Sequence, residues 1–389
     1  MEVRADHLAF YIHIPYCVKR CGYCDFNTYT PAELQIQSSL EVISHDYIDL
    51  LLQEIDRAAK ISSAKFVPSI FFGGGTPTLM VPEDLGRVIT AIKSHFTLDE
   101  NCEITIEANP DTVSPELLEK LLGVGFNRIS FGMQSAVPHV LEVLDRTHNP
   151  ANVEKAVLAA REAGFKEVSV DLIYGTPGES MTDWELTLDT ALALPISHIS
   201  AYALIVEQGT KLAARVKRGE IVIPDDDETA DKYILADNKF KDAGLNWYEL
   251  SNWSREGSES KHNMFYWIGA NWWGAGPGAH SHIDGRRWWN VKHPAAYKEK
   301  ILTSGDPTHE SEVLSSIERE EERLLLNIRL PQGIALSTLN EGQLTNLRPF
   351  LSDGHLSIEM WEQGRVSLTQ TGRLLADRIV RDALTESLI

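Results

Sequence analysis

The chemistry in this chain is concentrated in Tyr11-Ile-His-Ile-Pro-Tyr-Cys17-Val-Lys-Arg-Cys21-Gly-Tyr23-Cys24-Asp-Phe26. Of the 4 cysteines in the protein, Cys17, Cys21 and Cys24 share this one loop, spaced C-x3-C-x2-C. Soft thiolates at that spacing can each take one iron of a [4Fe-4S] cube. No fourth cysteine lies nearby in sequence, so one iron would be left open to a ligand the protein does not supply. Two plainer readings stand beside this one. The thiolates could hold zinc with His13 or His45, although zinc sites more often come as separated C-x2-C pairs. They could also be structural. Cys102 stands apart at the head of a strand-like run and reads as a buried core thiol.

Stepping along the chain, apolar patterning predicts strands at 8–14, 68–72, 102–107, 127–131, 167–173 and 198–205. Helices are expected between them, around 48–55, 82–96, 114–125, 137–144, 152–163 and 182–192, with Ser114-Pro115 as a helix start. Six strand–helix alternations predict parallel strands with crossover helices, an α/β chain. Eight units would close a barrel; six point to an open (β/α)6 partial TIM barrel. The remaining distinctive residues fall at strand C-terminal ends: Gly74-Gly75-Thr76, Glu107, Gln134, Asp171 and Tyr202-Ala203. In such barrels that face carries the active site.

Composition narrows the function classes. With 36 Lys+Arg against 56 Asp+Glu the net charge is −20. So acidic a surface argues against non-specific nucleic-acid or anionic-membrane binding. The sequence holds no apolar run long enough to span a bilayer. Its start does not read as a secretory signal. Few, clustered cysteines suit a reducing, cytoplasmic compartment.

Past the sixth strand, the acidic stretch 224–228 caps a helix expected at 231–243, and 247–253 reads as a seventh strand. Residues 262–289 are rich in aromatics and glycine. Residues 1–299 read as the barrel domain, 300–316 as a linker, and 317–389 as a small α+β, winged-helix-like domain. In that domain a helix is expected at 318–330, short helices at 336–339 and 343–351, a hairpin of 356–361 with 365–368, and a last helix at 372–384. DNA binding is the sharper reading of such a module; the acidity favours a lid packed on the barrel.

The cysteine loop resembles that of the radical S-adenosylmethionine (SAM) superfamily. The wider set is more specific: Tyr11-x-His13-x-Pro15, Gly73-Gly-Gly-Thr-Pro-Thr78, Ile106-Glu-Ala-Asn-Pro110 and Asp171-Leu-Ile-Tyr-Gly-x-Pro-Gly178. Over essentially the whole chain this resembles the oxygen-independent coproporphyrinogen III oxidase family, and within it the HemW branch of heme chaperones. Phe26 stands where the oxidases carry a further cysteine, and the long N-terminal segment of the oxidases is lacking ahead of Tyr11. His262-Asn263-Met-Phe-Tyr266-Trp267 matches the HNxxYW signature of that branch.

The resemblance implies three cofactors: a [4Fe-4S] cluster, SAM on its open iron, and heme. It assigns Cys17, Cys21 and Cys24 to the cluster. It assigns Tyr11, Tyr23, Gly74, Gly75, Thr76, Glu107, Gln134, Arg146, Asp171 and Ala203 to SAM. It assigns His262, Asn263, Tyr266 and Trp267 to heme, with Lys261, Arg286 and Arg287 available for propionates and His280 as a further polar group. Implied partners are heme or a porphyrin, a heme-acceptor protein, and an electron donor such as flavodoxin or ferredoxin. Peripheral contact with membrane proteins would follow; nucleic acid would not be bound. The competing implications are radical decarboxylation of coproporphyrinogen III and simple iron–sulfur electron transfer.

Overall fold

In the computed structural model, which describes Arg4 and residues 6–385, strands and helices alternate from the N-terminus. β1 (Ala9–Ile14) leads through the cysteine loop to α1 (Leu40–Ile61). There follow β2 (Phe66–Gly74), α2 (Pro82–His95), β3 (Thr97–Ala108), α3 (Pro115–Val124) and β4 (Arg128–Gln134). Next come α4 (Pro138–Val143), α5 (Pro150–Ala163), β5 (Glu167–Tyr174), α6 (Met181–Leu192) and β6 (His198–Ala203). Local chemistry sets the boundaries. The Ser114 side chain accepts from the Leu117 N–H, Pro115 fills the first helical position, and Gly125 closes α3 at φ 116°, a conformation that favours glycine.

β1 to β6 pair in parallel and in chain order. One face of these strands is apolar and packs under the helices, as Ile70, Ile106, Ile129, Val170 and Ile199 do. The alternate residues face the lumen: Thr105 and Glu107, Arg128 and Ser130, Ser169 and Asp171, His198 and Ser200 line one cavity. A filled barrel core would carry branched apolar side chains at such positions. This lumen is polar, and it is open.

The second half builds outward from both edges. α7 (Lys211–Lys217) and α8 (Asp226–Asp242) precede β7 (Asn246–Glu249) and β8 (Asn252–Ser254). These two form an antiparallel pair on β6, where one strand over 247–253 was expected. The short helix α9 (Lys261–Trp267) packs on β2. The aromatic-rich stretch then supplies β9 (Trp272–Ala275), β10 (His280–Ile283) and β11 (Arg286–Asn290). β9 pairs in parallel with β1, so the sheet grows from the other edge as well. Trp273 and Trp288 are buried in this extension, ring centroids 5.2 Å apart. After α10 (Pro294–Ser304) comes β12 (Thr308–Val313), the outer strand on β11. The expected linker over 300–316 is therefore mostly regular structure; its polar composition reflects an exposed edge strand, blunted by charge. The full order is β12-β11-β10-β9-β1-β2-β3-β4-β5-β6-β8-β7.

The C-terminal unit holds α11 (Ser316–Asn327), β13 (Ile334–Ala335), α12 (Glu341–Ser352), α13 (Ile358–Glu362), β14 (Arg365–Val366), α14 (Gln370–Leu374) and α15 (Ala376–Leu384). It has its own apolar cluster around Ile328, Leu347, Val366 and Ile379. The expected hairpin is corrected. Ser357 caps α13 where a first strand was expected, only a single Leu356–Leu368 bridge remains, and β14 pairs with β13. Among the described residues no helix is long and apolar enough to cross a membrane.

Candidate functional site

The loop after β1 is held by backbone bonds on both sides. The Cys17 N–H donates to Tyr29 O (3.0 Å), Gly22 N–H to Leu144 O (3.1 Å) and Leu212 N–H to Gly22 O (2.9 Å). Cys17, Cys21 and Cys24 thereby line the mouth of the lumen, a cavity of about 710 Å³. None of the three is in a disulfide. Burial pushes the Cys17 thiol up to about 11 and raises that of Cys24. Two donors point at sulfur: Thr76 Oγ1 lies 3.8 Å from Cys17 Sγ, and Arg146 Nη1 lies 3.5 Å from Cys21 Sγ. Unpaired thiols on a cavity wall, with donors trained on them, fit the ligand set of a cluster that leaves one iron open.

The zinc reading lacks its histidine. His13 has both ring nitrogens engaged, Nδ1 with the Tyr11 hydroxyl (3.0 Å) and Nε2 with Asn27 O (2.9 Å). His45 sits against Asp84 and Arg87. Among the described residues no three His, Cys, Asp or Glu side chains stand close enough to share one metal ion.

Most of the residues expected around SAM meet at this mouth: Tyr23, Gly74, Gly75, Thr76, Glu107, Gln134, Arg146, Asp171 and Ala203 all line the cavity. Gln134 ends β4 at φ 62°, an unusual conformation for a non-glycine residue and a sign of a constrained site. Arg146 Nη2 donates to Gly132 O at 2.6 Å. A Cβ on Gly132 would stand 2.9 Å from that nitrogen and 2.8 Å from Gln134 Nε2, so a side chain here would have to displace the ends of both. Glu107 faces Asp171. Burial and then the Asp171 charge lift Glu107 from its usual 4.5 to about 8, against a 3.0 Å bond from Gly74 N–H. Burial also raises Asp171, opposed by the hydroxyls of Ser200 and Ser130. The Ser130 hydroxyl lies 3.0 Å from both Asp171 oxygens.

The glycines act differently from expectation. Gly75 N–H donates to Ile14 O (2.7 Å) and Thr76 N–H to Tyr16 O (2.8 Å), prolonging the β1–β2 pairing. A Cβ on Gly74 would lie 2.5 Å from the His13 ring, and one on Gly75 2.4 Å from Tyr16 O. Absent side chains here admit β1 and the cysteine loop; these amide hydrogens are already bonded. Tyr11 is not among the lining residues: its hydroxyl is on His13 and its ring stacks near Phe71, centroids 6.2 Å apart.

The HNxxYW residues divide. Asn263 lines the cavity. His262 is 1% exposed, with Nδ1 3.0 Å from Ser69 Oγ and Nε2 2.9 Å from the Tyr266 hydroxyl. It stacks on Phe71 at 5.1 Å, and burial lowers it to about 3. Neither nitrogen is free for iron in this conformation, and Tyr266 serves as its partner. Trp267 contributes its carbonyl to Asn327 Nδ2 (2.7 Å) and does not line the cavity. The basic residues expected at propionates are engaged elsewhere: Lys261 with Asn101 O, Arg287 with Glu312 and Glu322, and Arg286 over the Trp288 ring. His280 is exposed and stacked on Trp289.

Sequence reasoning missed Arg128, Ser130, Ser169, His198 and Ser200. The signal was present. Central parallel strands normally read as continuous apolar runs, whereas Arg128-Ile-Ser130, Ser169-Val-Asp171 and His198-Ile-Ser200 alternate.

An open parallel barrel with C-x3-C-x2-C at its mouth is the radical SAM architecture, and the Radical SAM superfamily model matches residues 11–191. Coproporphyrinogen III oxidase (HemN) from Escherichia coli, a solved structure, shares the fold: TM-score 0.82 over 99% of this chain and 92% of that one, at 21% identity. The heme chaperone HemW of Mycobacterium tuberculosis is 44% identical over 96% of this chain and 94% of its own length. HemW of Bacillus subtilis is 33% identical over 95% and 97%. The chain belongs to the HemW family of radical SAM proteins.

Proposed function

We infer that this protein is a heme chaperone on a radical SAM scaffold, binding a [4Fe-4S] cluster, SAM and heme and passing heme to an acceptor protein. The observation that carries this is 44% identity with a named heme chaperone over 96% of the chain. Cys17, Cys21 and Cys24 would hold the cluster, which when bound supplies single electrons and an open coordination position. Arg146 would balance thiolate charge beside Cys21 and meet a carboxylate. Asp171 and Glu107 would accept from hydroxyl or ammonium groups of SAM. Glu107, lifted to about 8, holds its proton near neutrality until a cation displaces it. The C-terminal unit would serve as a lid on the barrel. A soluble one-electron carrier in a reducing, cytoplasmic compartment would be the reductant.

Phe26 disfavours the oxidase reading. It is 57% exposed and lies on the cavity wall, where the oxidases carry a cysteine. Heme ligation by His262 requires α9 to release it from Ser69 and Tyr266. The test is a hemin titration of the anaerobically reconstituted full chain, wild type and His262→Ala, followed in the Soret region. A saturable Soret band in the wild type that changes in His262→Ala is expected. Absence of a band, or formation of protoporphyrinogen from coproporphyrinogen III with SAM and reductant, would defeat the reading.

A further inference from the structure

The cavity has two ends. The thiols, Arg146 and Gln134 occupy one. Arg128 lies six residues before Gln134 on β4, about 20 Å away along an extended strand. Of the cofactor set described above only Asn263, at the start of α9, lies near this inner end, yet its chemistry is distinctive.

Arg128 is 3% exposed. Its Nη1 donates to Ser258 O at 2.9 Å, with Glu103 Oε2 3.6 Å away. That carboxylate is already occupied: it accepts from Ser260 Oγ (3.1 Å), Lys261 N–H (3.0 Å) and His262 N–H (3.2 Å) at the start of α9. Among the described residues Arg128 Nη2 has no partner. Among the same residues Thr105, beside Arg128 in the β3–β4 register, leaves Oγ1 without a partner, and so does His198 with Nδ1. Both are buried and both line the cavity.

Tyr248 oxygen accepts from Ser260 N–H (3.3 Å) and lies 2.7 Å from His198 Nε2. Burial and the nearby Arg128 charge keep the ring neutral; in the tautomer in which the phenol hydrogen goes to Nε2, the ring carries its one proton on Nδ1. That tautomer puts a guanidinium N–H, an imidazole N–H and a hydroxyl on residues that line one cavity. Buried donors are rarely left unbonded. Three donors, one of them charged, match a carboxylate.

We propose that Arg128, His198 and Thr105 form a carboxylate-binding subsite at the inner end of the barrel, which receives an acid side arm of the porphyrin bound by this protein. The identification of that ligand as a porphyrin rests on the heme-chaperone reading; the carboxylate preference rests on the donors alone. The bound acid would complete the three unused hydrogen bonds, and its charge would replace the share of Glu103 that α9 has taken.

The test uses the reconstituted full chain and fluorescence titration with mesoporphyrin IX and with its dimethyl ester, alongside hemin. Wild type should prefer the free acid by about tenfold or more, the usual worth of a charge-assisted bond. Arg128→Gln should bring that preference to within about twofold, and Arg128→Lys should keep part of it. If Arg128→Gln does not fold, Thr105→Val and His198→Phe must each reduce the preference. Equal binding of acid and ester by wild type, or equal weakening of both in Arg128→Gln, as a purely structural role predicts, would overturn the proposal. Metal-free porphyrin bound as tightly as hemin, with the acid preference intact, would support the subsite while removing the heme-specific reading.

Discussion

At the scale of single residues, three thiols differ from the fourth by address. Cys17, Cys21 and Cys24 line the cavity mouth, while Cys102 is 7% exposed inside the apolar core. Alanine at any of the first three should lower iron per chain and bleach the visible absorption after reconstitution. Cys102→Ala should retain wild-type iron, measured on the same preparations. Glu107 gives a pH signature. Its folded value of about 8 lies above its usual 4.5, so the fold holds a proton that the unfolded chain releases. Stability from this group is full below about 4.5 and is lost as pH rises towards 8. Glu107→Gln carries no such loss. Its melting temperature relative to wild type should therefore climb between pH 5 and pH 8, while its affinity for SAM falls. A difference that stays flat across that range would refute the assignment.

At the scale of elements, buried carboxylates fasten the late strands to the early ones. Glu54 on α1 accepts from Tyr297 Oη (2.5 Å), Gly276 N–H (2.8 Å) and Asn290 Nδ2 (2.7 Å). It joins α1 to the turn after β9, to β11 and to α10. That turn reaches the cysteine loop, since Asn27 Nδ2 donates to Pro277 O at 2.9 Å and a Cβ on Gly278 would collide with Asn27. Glu54→Ala would strand three donors, each costing about 1–3 kcal/mol. The urea midpoint should fall accordingly, by at least about 3 kcal/mol in unfolding free energy. The cluster should also be lost faster in air, because the loop that holds it loses its outer support.

At the scale of the whole molecule, one buried ion pair joins the C-terminal unit to the barrel. Arg373 on α14 meets Asp237 on α8 through Nη1 (2.9 Å) and Nη2 (2.5 Å), and its guanidinium lies 4.4 Å from the Trp247 ring. Asp237 also accepts from Trp253 Nε1 (2.7 Å) and Gln370 Nε2 (2.7 Å). Removing one partner of such a pair leaves the other charge buried, at a cost of about 3–5 kcal/mol. Arg373→Ala should open the contact first: protease cleavage near residues 305–315 should accelerate and Trp247 emission should shift red, while iron content stays near wild type. Unchanged proteolysis would show that the apolar contacts alone hold the unit in place.

The sequence determined the cysteine loop, the six parallel strands and the strand-end residues, because spacing, turn chemistry and the period of apolar residues are local properties. Ser114-Pro115 and Gly125 mark α3 without reference to anything distant. It could not reveal that Gly74 and Gly75 make room for β1 and the cysteine loop, since that collision involves His13 on β1 and Tyr16 in the loop after it. Nor could it show that His262 spends both nitrogens on Ser69 and Tyr266. Its linker and hairpin failed because polar, short elements take their structure from a neighbour, β11 for β12 and β13 for β14. Only the tertiary structure decided which polar residues face one lumen. A side chain's partners depend on the register between strands far apart in the chain, and that register is set by how the strands pair across the sheet, not by any segment alone.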